Sequence, residues 1–187
     1  MLFQAALFSF CAVGALGHAV VETPTARQPG KASDELCGAG ASEALRRDLA
    51  GPLEEVVEDA DADFNCNVYV CRGYQYEDNE ANLQTFQAGD VVDFHIDLVA
   101  GHRPGYANVT VIDPVKNVVI GAPLKTWEAW PVENPGPDRD DTDFTVTIPE
   151  DLGSVCTEGG NCAIQWYWYA EGNSQTYESC VDFIVKA

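Results

Sequence analysis

Apolar and polar side chains alternate through Val91-Val92-Asp93-Phe94-His95-Ile96-Asp97-Leu98. The apolar side chains of this stretch fall on one face of an extended chain, and the aspartates and the histidine fall on the other. The pattern is typical of a β-strand that packs one face on a core and exposes the other. It predicts a half-buried strand.

Further segments of β character follow the same logic, and turn clusters such as Gly101–Gly105 and Asn134–Pro137 separate them. They are Ala107–Ile112, Val118–Ile120, Phe144–Ile148, Ala163–Tyr169 and Ser179–Val185. Six or seven short strands with no helices between them predict an all-β fold, an antiparallel β-sandwich.

The segment before these strands is irregular. Only Ser42–Val57 has apolar residues at helical spacing, and Gly51-Pro52 interrupts it. We therefore expect a long N-terminal loop region that contains one or two short helices. Because no repeat or low-complexity linker divides the chain, residues 18–187 are predicted to form a single domain.

The first seventeen residues have the features of a signal peptide. They carry no charged side chain and end in Ala15-Leu16-Gly17, small residues of the kind that a signal peptidase recognises. Cleavage after Gly17 predicts a secreted, extracellular protein with no membrane anchor. It also removes Cys11 and leaves six cysteines, an even number that indicates disulfides in an exported chain.

The chain carries a formal net charge of −20. A surface of this sign repels nucleic acid and anionic membranes, so we expect neither as a partner. A neutral polysaccharide is compatible with it, although acidity also serves solubility alone.

Cleavage after Gly17 places His18 at the new terminus, where one residue offers both an amine and an imidazole. Both nitrogens are available near neutral pH, and an imidazole from elsewhere adds a third. A set of three nitrogens favours one copper(II) ion. His102, in the loop after the first strand described above, is favoured over His95 as the partner, because a loop at a sheet edge can reach another segment.

A third element lies in Gln175-Thr176-Tyr177-Glu178-Ser179-Cys180. The Tyr177 phenol can occupy an axial copper position, and Gln175 lies on the same strand face, from which its amide can form a hydrogen bond near the metal. The alternative is an ordinary core tyrosine beside a disulfide.

Together, the terminal His18, the His102-x-x-Gly105 loop and the Gln175-x-Tyr177-x-x-Cys180 ending resemble the lytic polysaccharide monooxygenases. Within that superfamily the chain looks most like the fungal auxiliary activity family sixteen, whose members are described as chitin-binding type-4 domains. Cys66-x(4)-Cys71-Arg72-Gly73 and Gln165-Trp166-Tyr167-Trp168-Tyr169 also resemble that group.

The resemblance implies an immunoglobulin-like or fibronectin-like sandwich with copper on a flat face. It implies that His18 and His102 form a histidine brace, with Tyr177 axial and Gln175 beside it. It further implies an oxidoreductase that uses an external electron donor with hydrogen peroxide or dioxygen. The substrate implied is cellulose, oxidised at C1, and the protein would act as a monomer.

Short sequence separations favour the disulfides Cys66–Cys71 and Cys156–Cys162, which leaves Cys37–Cys180 as the third. The sequence Asn108-Val109-Thr110 predicts N-glycosylation of Asn108. Aromatic residues in or near loops are candidates for a sugar-stacking surface: Tyr74, Tyr76, Tyr106, Trp127 and Trp130.

Two other functions remain open. A copper-binding protein of the same fold would store or deliver the metal without cleaving sugar, and such relatives tend to offer a carboxylate to the copper. A chitin- or carbohydrate-binding module would have no redox role, and its terminal histidine would be a coincidence.

Overall fold

The computed structural model describes residues 18–131 and 139–186, so the predicted signal peptide lies outside the described residues. Eight strands form within this part of the chain: β1 (His18–Thr23), β2 (Gln84–Gln87), β3 (Val91–Ala100), β4 (Tyr106–Asp113), β5 (Val118–Trp127), β6 (Asp143–Thr147), β7 (Ala163–Ala170) and β8 (Gln175–Lys186). They make a three-stranded sheet in the order β1-β3-β6 and a five-stranded sheet in the order β2-β8-β7-β4-β5.

The two sheets share one hydrophobic core, which confirms the β-sandwich. Phe94 and Ile96 of β3 and Val109 of β4 are buried in the same cluster as Trp166 of β7 and Val181 of β8. The alternation in β3 divides as expected, with Val92, Phe94 and Ile96 buried and Asp93 and Asp97 exposed. The core therefore lies between the apolar faces of the two sheets.

Two strands were not predicted. β1 begins directly at His18 and pairs antiparallel with β3, and its six residues are too few to show a clear alternation. β2 pairs with the end of β8 in parallel, while the other strand pairs are antiparallel. Gln84-Thr85-Phe86-Gln87 contains one aromatic and one β-branched residue, a weak strand signal on its own.

Helices lie in the N-terminal region, as predicted, but the first is longer than expected. α1 spans Lys31–Arg47, with non-helical backbone at Gly38, and α2 spans Leu53–Glu58. The predicted start at Ser42 was wrong, because Gly38 and Gly40 lower the helical propensity of the first half. A one-turn helix, α3, spans Arg139–Thr142. No helix in the described ranges is long and apolar enough to cross a membrane.

Three disulfides are present, but two of the predicted pairings were wrong. The structure joins Cys37 to Cys66, Cys71 to Cys180, and Cys156 to Cys162. Only Cys156–Cys162 was predicted correctly, and the pairs Cys66–Cys71 and Cys37–Cys180 are not formed.

Packing explains the observed pairing better than sequence separation does. Cys71 and Cys180 lie in a small apolar cluster with Ile112 and Ala163 on the outer side of the five-stranded sheet. Cys37 belongs to a different cluster, which α1 and α2 form with Val68 and Tyr74, and Cys66 packs against it. Cys66 and Cys71 therefore pack in two different apolar clusters, although only four residues separate them in the sequence.

A buried ion pair fixes the chain after β1 to β8. The Arg27 guanidinium donates to both carboxylate oxygens of Asp182 at 2.7 Å and to the carbonyl oxygen of Tyr74 at 2.8 Å. The Arg27 N–H also donates to the carbonyl oxygen of Cys180 at 2.8 Å. Because this bidentate pair is fully hydrogen-bonded, it holds the N-terminal segment in place beside the strand that carries Tyr177.

Candidate metal centre

Strand register brings two histidines to one end of the sandwich. His18 begins β1 and pairs with Ala100, the last residue of β3. The chain leaves β3 at that point and reaches His102 two residues later. His18, at the start of β1, thus lies beside the loop that follows β3 and carries His102.

His102 is a buried imidazole with an unused nitrogen. Its side chain is only 6% exposed, and in the part of the chain that the structure describes Nε2 has no hydrogen-bond partner. Burial lowers the pKa of His102, and the charge of His18 lowers it further. The ring is therefore neutral at pH 7 and offers a lone pair, which suits a metal ligand.

Neighbouring backbone fixes the loop that carries His102. The N–H of Trp130 donates to the carbonyl oxygen of Gly105 at 2.9 Å, and the N–H of Gly172 donates to that of Pro104 at 3.2 Å. A Cβ at Gly105 would lie 2.7 Å from the carbonyl oxygen of Tyr169 and 2.9 Å from Nε1 of Trp168. Gly105 is therefore required for the close approach of this loop to β7.

His18 contacts an acidic residue at the end of α1. Its Nε2 lies 2.5 Å from Oδ2 of Asp48. The backbone also joins these segments, because the N–H of Ala19 donates to the carbonyl oxygen of Ala50 at 3.1 Å. The first residue of β1 is thus held both by its strand partner and by the α1–α2 connection.

Tyr177 and Gln175 lie at the start of β8, and the structure joins them directly. Tyr177 is fully buried, and its hydroxyl donates to Oε1 of Gln175 at 2.9 Å. Burial raises the pKa of the Tyr177 phenol, and the nearby charges of Glu54, Glu55 and Asp48 raise it further. The phenol is therefore neutral at pH 7.

One tryptophan connects Tyr177 with the histidine loop. The Trp168 ring stacks on Tyr177, with centroids 4.3 Å apart and planes inclined by 20°, and lies 6.5 Å from the His102 ring. Trp168 is fully buried and also packs edge-on against Trp130. It is a core residue that stacks on Tyr177 and lies near the His102 ring.

His95 lies elsewhere. It is on the outer face of the three-stranded sheet, where its side chain is 43% exposed and Nδ1 lies 2.8 Å from Oδ1 of Asp143. The structure places His18 and His102 at one end of the sandwich, connects His102 with Tyr177 and Gln175 through Trp168, and leaves His95 out.

Side chains alone do not complete a metal site. Among the described residues, no three His, Cys, Asp and Glu side chains cluster in a way that could hold a metal ion. The two imidazoles supply two nitrogens, so a third ligand has to be a group such as the α-amine of His18, which exists once the bond before it is cut. The residues present fit copper through the neutral, buried Nε2 of His102, which has no hydrogen-bond partner among the described residues.

Sequence reasoning missed two acidic residues near this site. Asp48 gave no signal, because a single aspartate after a helix is an ordinary surface residue. Glu178 follows Tyr177 on β8, is fully buried, and accepts hydrogen bonds from the N–H of Arg72 at 3.0 Å and from Gln165, while burial raises its pKa to about 7. Alternation along the strand puts Glu178 on the face opposite Tyr177, so no sequence pattern indicated its burial.

Two of the five aromatic candidates for sugar stacking are in the core. Tyr74 is 3% exposed and Trp130 is fully buried, so neither can stack on a polymer. Tyr106 is 38% exposed at the start of β4. It lies near the rings of Tyr167 and Tyr169, with centroids 6.3 and 5.9 Å apart.

Comparison with known proteins gives one family and a shared fold. The family model described as "Lytic polysaccharide mono-oxygenase, cellulose-degrading" matches residues 11–183. An AA10 lytic polysaccharide monooxygenase from Streptomyces lividans is similar in structure, with a TM-score of 0.53 at 14% identity, over 89% of this chain and 99% of that one. A chitin-binding domain from Burkholderia pseudomallei gives a TM-score of 0.48 at 11% identity, over 91% and 100%. No curated protein matches the chain.

Proposed function

Because the chain belongs to the lytic polysaccharide mono-oxygenase family, we propose that it is a copper-dependent oxidoreductase that cleaves glycosidic bonds of a polysaccharide by oxidation. The observation that carries this proposal is the meeting of two histidines at one end of the sandwich. His18 pairs with the end of β3, and His102 follows that end with a buried, neutral Nε2 that has no partner among the described residues.

The third nitrogen in this proposal is the α-amine of His18. Removal of residues 1–17 as a signal peptide would create it and leave residues 18–187 as a single secreted domain. The cysteines support export, because all six that follow Cys11 are joined in disulfides, which form and persist in oxidising compartments.

The chain's own residues have separate tasks in this proposal. His18, through its amine and ring, and His102 would hold one copper ion. Once reduced by an external donor, that ion would supply the activation of hydrogen peroxide or dioxygen that oxidation of a C–H bond beside the glycosidic oxygen requires. Tyr177 donates its hydroxyl proton to Gln175, so the lone pairs of its phenol oxygen would remain available toward the copper.

The substrate we propose is cellulose, with oxidation at C1, and we propose that the chain is a member of the fungal auxiliary activity family sixteen. The description of the matched family supports cellulose, and the net charge of −20 suits a neutral polymer better than an anionic one. We propose that the protein acts as a monomer, with the electron donor and the oxidant as its other partners.

A copper carrier of the same fold is the second candidate. The observation that favours it is the Asp48 carboxylate 2.5 Å from Nε2 of the proposed ligand His18, since such carriers tend to have a carboxylate in the copper site. Gln175 beside Tyr177 favours the enzyme instead.

One experiment separates the two. The mature protein, beginning at His18 and loaded with copper, is incubated with ascorbate and cellulose, and the soluble products are analysed by mass spectrometry; chitin, starch and pectin serve as comparison substrates. We expect aldonic acid oligosaccharides from cellulose. Tight copper binding without oxidised products from any polymer would favour the carrier.

The matched control carries one additional glycine before His18. The added residue converts the α-amine into an amide, which leaves the rings and the fold unchanged but removes one ligand. We expect loss of the copper spectrum and of oxidised products together. An unchanged spectrum in the extended protein would contradict the proposed site.

We also propose that Asn108 carries an N-linked glycan. Ala107 and Val109 are buried in the core, so Asn108 lies on the outer face of β4, opposite Tyr167 of β7. Protein secreted from a eukaryotic host is expected to lose mass on treatment with peptide N-glycosidase, and Asn108→Gln protein is expected to show no loss.

A further inference from the structure

The contact between His18 and Asp48 involves one particular nitrogen of the ring. Nε2 of His18 lies 2.5 Å from Oδ2 of Asp48, and the two side chains are 17% and 36% exposed. A carboxylate accepts hydrogen bonds, so the neutral imidazole in this pair carries its proton on Nε2. The lone pair of the ring is then on Nδ1.

Covalent geometry decides which ring nitrogen can chelate together with the amine of the same residue. Nδ1 is three bonds from the Cα of histidine and closes a small chelate ring with the α-amine. Nε2 is on the far side of the imidazole and cannot reach that amine. The Asp48 contact therefore occupies the nitrogen that the proposed copper site does not need.

Asp48 is held in place by the backbone around it. Its Oδ1 accepts from the N–H of Ala50 at 3.0 Å, and its carbonyl oxygen accepts from the buried guanidinium of Arg72 at 3.1 Å. Arg72 also donates to the carbonyl oxygen of Gly51 at 2.9 Å. The connection that positions the carboxylate is the one that binds Ala19 of β1 through Ala50.

We propose that Asp48 is a positioning residue for the metal centre: it accepts the Nε2–H of His18 and holds the ring so that Nδ1 and the α-amine face the copper together. This role rests on the proposed function. A metal-bound histidine usually donates its other N–H to a carboxylate or a carbonyl, which fixes the tautomer and the ring orientation. Asp48 would supply that partner at the terminal histidine.

The first test needs neither metal nor a variant. Metal-free mature protein beginning at His18 and labelled with ¹⁵N is examined by long-range ¹H–¹⁵N NMR at about pH 8, where an ordinary imidazole is neutral. We expect His18 as the Nε2–H tautomer. A His18 ring protonated on Nδ1 in this protein would overturn the proposal.

The second test uses Asp48→Asn. Asparagine keeps the Oδ1 acceptor for Ala50 but replaces Oδ2 with an NH₂ group, which donates to Nε2 and shifts the proton to Nδ1. We expect the NMR signature of the other tautomer and a copper(II) dissociation constant 10- to 100-fold higher, on the order found when such a hydrogen-bond partner is removed. Copper(II) binding is measured by competition with a chelator of known affinity and by electron paramagnetic resonance.

Asp59→Asn is the matched control. Asp59 follows α2 and is exposed. It pairs at 2.7 Å with Arg47, the residue that precedes Asp48. Asp59→Asn removes the same charge as Asp48→Asn, close to the same α1–α2 connection. We expect it to leave the His18 tautomer and the copper(II) affinity unchanged. An equal loss of copper(II) affinity in both variants would show that the effect comes from a general loss of negative charge, which would overturn the proposal.

The outcomes separate this inference from the function on which it rests. If the unmodified protein binds copper through its amine and two rings but Asp48→Asn has the same tautomer and affinity, Asp48 has no positioning role and the proposed function stands. If the unmodified protein does not bind copper in this way, the proposed function fails, and the role of Asp48 at the metal fails with it.

Discussion

Among single residues, His102 combines three properties that a surface histidine lacks: burial, a neutral ring and a nitrogen without a described partner. His102→Ala removes one of the three proposed nitrogen ligands. We expect copper(II) affinity to fall by more than the roughly 100-fold that loss of a ligand's hydrogen-bond partner causes. Isothermal titration of the mature protein with copper(II) measures the change.

His95→Ala is the control for that prediction. His95 is 43% exposed and is paired with Asp143 on the outer face of the three-stranded sheet. We expect its removal to leave copper affinity unchanged. If both variants bound copper like the unmodified protein, the proposed ligand set would be wrong.

The sequence separated these two histidines correctly, because period-two alternation places His95 on a solvent face and the turn signal places His102 on a loop. It could not show Asp48. That contact depends on how the α1–α2 connection folds back onto β1, and nothing in the local sequence around Asp48 encodes the approach. Short motifs therefore predicted the candidate ligands, while the contact between His18 and Asp48 is visible only in the folded structure.

At the level of secondary-structure elements, α1 depends on a residue from outside the helix. Gly30 precedes the helix and has no side chain to cap it, but the Asp78 carboxylate accepts from the N–H of Ala32 and the N–H and hydroxyl of Ser33 at 2.8 to 2.9 Å. A carboxylate at a helix N-terminus satisfies N–H groups that have no partner in the helix and interacts favourably with the helix dipole. This distant cap is one reason why the sequence alone placed the start of the helix too late.

We expect Asp78→Ala to destabilise the protein by about 1–2 kcal/mol at neutral pH, the usual effect of losing a helix cap. Burial alone would raise the pKa of Asp78, but its hydrogen bonds with Ala32 and Ser33 outweigh that effect and lower the pKa below 3.8. Its contribution is therefore complete above the ordinary pKa and is lost as pH falls through the folded value.

The free energy of unfolding of both proteins is measured by urea unfolding, followed by circular dichroism. The measurement is made at neutral pH, near the ordinary pKa of aspartate, and below it. The gap between the unmodified protein and Asp78→Ala should narrow as the pH falls. Glu77→Gln is the control, since Glu77 is the exposed neighbour of Asp78 and changes the same charge. A gap that stayed constant at every pH would contradict the capping role.

For the whole molecule, the sandwich could be predicted because alternating strands and turn clusters are local patterns, whereas the disulfide network could not. Cys66 and Cys71 are close in sequence but contact different apolar clusters, and Cys71 bonds to a residue 109 positions away. Long-range pairings of this kind depend on how the N-terminal helices pack on the five-stranded sheet.

The Cys71–Cys180 bridge and the Cys156–Cys162 bridge should therefore contribute unequally. The first bridge joins cysteines with a sequence separation of 109, and the second joins cysteines with a sequence separation of 6. If disulfides act mainly on the entropy of the unfolded chain, we expect about 5 kcal/mol of stability to be lost on removing the first pair and about 2 kcal/mol on removing the second. Urea unfolding of the two double alanine variants measures both losses.

Copper binding should distinguish the same two variants, because the long bridge also connects to both sides of the proposed metal centre. Cys180 lies three residues after Tyr177 on β8, and Cys71 precedes Arg72, whose guanidinium holds the Asp48 connection through two carbonyl oxygens. Loss of Cys71–Cys180 frees both sides of the site at once, so copper(II) affinity should fall together with stability. Cys156 and Cys162 have no such link, and their removal should leave copper affinity unchanged at a temperature where the variant is folded. Equal copper affinity in both folded variants would show that the long bridge stabilises the fold without positioning the site.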